Sequence, residues 1–110
     1  FMKVLVVDDD RVSRAMYKKV LTKAGYEVVE ASDGFEALHI IHHENIALVT
    51  LDIDMPDMDG YQVCTWLRSE QFTNRLKDKG EDPAKSLLPV IFLTSDDSLE
   101  TRLKGFRAGA

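Results

Sequence analysis

The chain has 110 residues, 45% hydrophobic and 30% charged, which suffices for one buried core and not for two. Fourteen basic against nineteen acidic residues give a formal net charge of -5, the wrong sign for gripping a phosphate backbone without a local basic patch, so direct nucleic-acid binding is not expected. The longest apolar runs fall far short of the roughly 18 residues that cross a bilayer, no signal peptide is evident, and the single cysteine, Cys64, can close no internal disulfide, which fits a reducing compartment.

Phe1 ahead of Met2 reads as a residue left by cloning. Lys3 to Val7 is a β-branched run apolar on both faces, as buried parallel strands are, and it stops at Asp8, Asp9 and Asp10. From Arg11 to Ala24 the apolar residues Val12, Met16, Val20 and Leu21 recur at helical spacing, with Asp10 placed to cap the start and Gly25 to end the helix. The unit then repeats. Tyr26 to Glu30 is extended, and Asp33 and Gly34 begin a helix whose Ala37, Leu38 and Ile41 share a face. A third strand, Ile46 to Leu51, runs into Asp52. After the turn from Met55 to Gly60 comes a helix that carries Val63, Cys64 and Leu67 inward, with Trp66 on its flank.

Residues 71–88 are polar, contain Gly80 and Pro83, and are longer than such connections usually run; they are expected to form a mobile insertion with some helix over 71–76. The fourth strand is Val90 to Leu93. A last helix over about 98–108 is expected to present Leu99, Leu103 and Phe106. Four strand-helix repeats predict a single α/β domain over 1–110, a doubly wound parallel sheet with helices on both faces.

Ligands of such sheets bind beyond the carboxyl ends of the strands. Here the first strand ends in Asp8 and Asp9, the third in Asp52, and the fourth in Thr94, Ser95 and Asp96. Taken singly, each aspartate also suits a helix cap or a turn. Carboxylates gathered at adjacent strand ends repel unless a cation or proton lies among them. Hard oxygen donors without nearby cysteine or histidine suit magnesium.

With Val6 to Asp10, Leu51 to Gly60 and Val90 to Ser95, the whole chain resembles the receiver domain of two-component response regulators, the CheY-like superfamily. The resemblance implies a flavodoxin-like receiver fold with four of its five strand-helix units present. It also implies a phosphorylation-dependent switch, rather than an enzyme, in the cytoplasm. Asp52 would accept a phosphoryl group from a sensor histidine kinase or a histidine phosphotransfer protein. Asp9 and Asp52 would bind Mg2+ directly, Asp8 through a water, and the backbone carbonyl of Asp54 would complete the ligands. Thr94 would hydrogen-bond the phosphoryl oxygens, and Asp54 and Asp96 would flank them and tune dephosphorylation. The family's fifth-strand lysine has no counterpart here, and Lys104 is no evident substitute. The chain reads as a receiver cut before its fifth strand, with an effector domain expected C-terminal to it and with dimers or exchanged elements as one remedy for the exposed edge.

Two other readings compete: a pseudo-receiver used as an interaction module without phosphorylation, and a haloacid dehalogenase-like phosphatase, whose motif matches Asp52 and Asp54 but leaves Asp8 and Asp9 unexplained. An EF-hand alignment on Gly60 puts Met55 first and Trp66 twelfth, and is rejected. His39, His42 and His43 have spacings that permit metal ligation on one helical face, but lack an HExxH pattern and read as a solvated face.

Overall fold

In the computed structural model, which describes residues 2–94 and 99–110 without the side chains of 99–102, four strands lie parallel in one sheet. They are β1 (Lys3–Val7), β2 (Glu27–Ala31), β3 (Leu48–Asp52) and β4 (Val90–Leu93), in the order β2-β1-β3-β4. Val4 to Val7 are all buried, as a central strand covered on both faces requires. Alternation along the strands sends Leu5, Val7, Ala31, Val49, Leu51 and Val90 into the main core. Val4 and Val6 take the opposite face, where α1 (Arg11–Lys23) touches β1 and β2. Val7 is paired with Ala31 and Leu51, and Asp52 with Leu93, so the polar strand ends finish along one edge.

α1 starts where expected, with the Asp10 carboxylate accepting from the backbone N–H groups of Val12 and Ser13. Its apolar stripe, however, is turned away from the sheet. Val12, Met16 and Val20 are exposed, while Ser13, Arg14, Tyr17 and Leu21 are half-buried. Arg14 lies on the sheet-facing side, its guanidinium donating to Glu30 on β2 and to the carbonyl of Asp8.

α2 (Gly34–His43) buries Ala37, Leu38 and Ile41, the face its spacing predicts. α3 (Gly60–Leu67) buries Val63, Cys64 and Leu67, and starts at a full capping box: Gln62 N–H donates to Asp59 at 2.8 Å, and Asp59 N–H donates to the Gln62 side chain at 2.9 Å. Asp59→Ala should therefore lower stability by about 1 kcal/mol, read as a lower urea midpoint with unchanged slope.

Residues 71–88, expected as a mobile insertion with some helix over 71–76, contain that helix and are largely helical and packed over their length. α4 (Glu70–Asp78) begins at Ser69 and buries Phe72 and Leu76, one helical turn apart on the core side. A 3-10 turn over Pro83–Leu87 follows. Lys85 Nζ joins this segment to α2, donating to the His42 carbonyl at 2.9 Å while pairing with Glu81 at 3.0 Å. Arg68, at the end of α3, donates to the Ser86 carbonyl at 2.8 Å and to the Gly109 carbonyl at 2.9 Å.

α5 (Leu99–Ala108) departs from the expected face at two of its three residues, and the side chain of the third, Leu99, lies outside the described residues. Phe106 and Leu103 are exposed, and Gly105 and Ala108 turn inward. A Cβ at Gly105 would lie 3.0 Å from the Phe92 ring, so glycine there lets the helix approach that side chain of β4.

Candidate functional site

Asp8 is almost fully buried. Its N–H continues the sheet ladder to the Ala31 carbonyl, and its carboxylate accepts from Asp10 N–H at 2.9 Å. Its own carbonyl accepts from Arg14 at 2.8 Å. Asp9 is exposed and Asp52, the last residue of β3, is half-buried. The Asp52 carboxylate accepts from Asp54 N–H at 3.2 Å.

The turn after β3 folds back on itself. Met55, Gly60 and Met58 donate backbone bonds to Ile53, Ile53 and Pro56 respectively, Met55 is buried, and Asp57 takes a left-handed conformation at φ 67°. Gly60 is pressed against the strand end, and a Cβ there would lie 2.5 Å from the Asp52 carbonyl oxygen.

Register thus gathers the three predicted carboxylates. One oxygen each from Asp8, Asp9 and Asp52 lies within 4.8 Å of the others, and among the described residues no other trio of metal-ligating side chains converges so closely. No ion pair to a basic side chain reaches any of the three among the described residues. Burial, opposed by the Asp54 N–H and reinforced by Asp8 and Asp9, pushes the Asp52 carboxyl up to about 6. An all-oxygen cluster with excess negative charge fits a small hard cation such as Mg2+, which takes few carboxylates and keeps several waters.

Thr94 follows Leu93, the register partner of Asp52, so it stands one residue beyond that pairing at the same edge. The Asp54 side chain is exposed, and Asp96 lies outside the described residues. Lys104 lies over the Tyr61 ring, 5.6 Å from its centroid, and that ring packs on Phe92. Two contributors escape sequence reasoning. Arg14 tethers Asp8 from six residues away, with no local signal beyond its charge, whereas Gly60 is flagged by glycine at the first position of a helix, where its flexibility gives no advantage.

A protein-family model described as response regulator receiver domain matches residues 4–110. The response regulator MprA of Mycobacterium sp. (strain KMS) is 40% identical over 109 residues, 99% of this chain and 41% of the relative. MprA of Mycobacterium leprae is 38% identical over the same length. The chain thus spans about two fifths of the length of these curated relatives. Among solved structures, a putative response regulator from Chloroflexus aurantiacus is 33% identical with a TM-score of 0.82, covering 99% of this chain and 80% of that one. The Francisella response regulator 1452 receiver domain is 30% identical with a TM-score of 0.81, covering 100% and 79%.

Proposed function

The chain belongs to the response regulator receiver domain family, and on that footing we propose that Asp52 is the phosphoacceptor of a two-component switch. The observation that carries this reading is the convergence of Asp8, Asp9 and Asp52 at the strand ends.

An Asp52 carboxylate oxygen would attack the phosphorus of a phosphohistidine on a sensor histidine kinase or phosphotransfer protein. The P–N bond breaks, the imidazole leaves, and an aspartyl phosphate remains. Asp9 and Asp52, with Asp8 through a water and the Asp54 carbonyl, would hold Mg2+, whose charge offsets that of the nucleophile and the phosphoryl group. The Asp54 N–H, already on the Asp52 carboxylate, orients it. The Thr94 hydroxyl would donate to the new phosphoryl oxygens, and the side chains of Asp54 and Asp96 would bear on the approach of water during dephosphorylation. Water then hydrolyses the aspartyl phosphate, inorganic phosphate leaves and the Asp52 carboxylate is restored, so the domain would act as a switch. An effector domain on the same polypeptide, as the greater length of the relatives suggests, would read that switch in the cytoplasm.

The test is intact mass after incubation with a small acyl phosphate and Mg2+. Wild type is expected to gain one phosphoryl group and Asp52→Asn none. Labelling that survives in Asp52→Asn, or an unlabelled wild type that binds Mg2+, would reject the assignment, the latter in favour of a non-phosphorylated interaction module.

A further inference from the structure

We propose that His39 and His43 on α2 form a site for a borderline divalent transition metal ion of the Zn2+, Cu2+ or Ni2+ class, separate from the acidic cluster. The two residues are one helical turn apart, the spacing that brings side chains together on one face. Their rings are gathered and not splayed into solvent, with centroids 4.5 Å apart. His42 stacks on His43 at 4.7 Å, and its other contact is the edge of Phe72 on α4, at 6.3 Å.

Both rings are exposed to an incoming ion, and among the described residues neither makes a hydrogen bond, which leaves their nitrogens available. They line a cavity of about 450 Å3 between α2 and α4. Imidazole nitrogen suits Zn, Cu and Ni, and two such donors leave positions for water.

His43 lies in the last turn of α2, where the helix dipole favours a cation. Glu81 on the packed segment acts on both His42 and His43. Against binding stand Lys79 and Lys85, which act on His42, and Arg75, which lines the cavity. Lys85 is engaged by Glu81 and the His42 carbonyl, and Arg75 lies over the Trp66 ring, 5.8 Å from its centroid.

The test is calorimetric titration of Zn2+ into the protein with Mg2+ in excess, so that the acidic cluster is occupied. One equivalent is expected to bind, with affinity falling about tenfold or more in His39→Ala and in His43→Ala. Alanine is the best helix former, and both positions are exposed, so the helix should persist, as circular dichroism can verify. Cu2+ bound to wild type should also show nitrogen splitting in its electron paramagnetic resonance spectrum. Absence of Zn2+ binding, or affinity in both variants equal to that of wild type, would overturn the proposal. So would binding that is abolished by Asp52→Asn and untouched by the histidine changes.

Discussion

Asp52→Asn should stabilise the protein at pH 7 when divalent cations are chelated, by about 1–2 kcal/mol. The folded-state carboxyl titrates at about 6 against an ordinary 3.8, so between those values the folded chain holds more proton than the unfolded chain. Stability contributed by Asp52 is complete below about pH 4 and is lost as pH rises through about 6. The gap corresponds to about 3 kcal/mol for a fully shielded group, and solvent access to this half-buried residue reduces it to the smaller figure. Asparagine has no proton to lose, so urea midpoints of the two proteins should coincide at pH 4 and separate at pH 7. Magnesium should reverse the order: at a hundredfold excess over its dissociation constant, wild type gains about 2.7 kcal/mol, and the variant, one ligand short, gains less. A variant less stable than wild type at pH 7 in chelator would refute the repulsion on which this rests.

Gly60→Ala should destabilise by about 1–3 kcal/mol, although alanine is ordinarily the better helix residue by roughly 1 kcal/mol. The added methyl would stand 2.5 Å from the Asp52 carbonyl oxygen and 3.0 Å from Ile53 Cα, both backbone atoms that cannot swing aside as a side chain could. Gly60 has no positive φ among the described residues, so the cost comes from contact alone. Relief requires moving either α3 or the end of β3, and the second displaces the Asp52 carboxylate from Asp8 and Asp9. The expected result is a lower urea midpoint together with a smaller magnesium-induced rise in melting temperature. A variant as stable as wild type would show that the turn has slack.

What could be read in the chain alone followed from short-range rules. The both-faced apolar run of β1 announces a central parallel strand, and once four such units are counted, the register that assembles Asp8, Asp9 and Asp52 follows from the fold. Helix orientation was less legible. The Val12, Met16, Val20 stripe has the right period, but period does not say which neighbour a face will meet, and it is the side carrying Arg14 that faces β2 and the Asp8 carbonyl. On α5, the spacing selects Leu99, Leu103 and Phe106, whereas Gly105, close to Phe92, and Ala108 are the residues that are buried. The stretch 71–88 misled through its polarity. Only Phe72 and Leu76 needed to be apolar to seat α4, and two residues barely move an average.

Arg68 has a mechanical consequence. Its fork holds the Gly109 carbonyl at the far end of α5 while also gripping Ser86, so that end of the helix is pinned to the body of the domain. The opposite end begins five residues after Thr94. A lever fixed at one end can answer a push at the other only by pivoting or twisting about the pin. Displacement arriving from the side of the acidic cluster would then be largest near Leu99 and would shrink to nothing at Gly109, and any surface that reads the helix would gain most by touching its first turns.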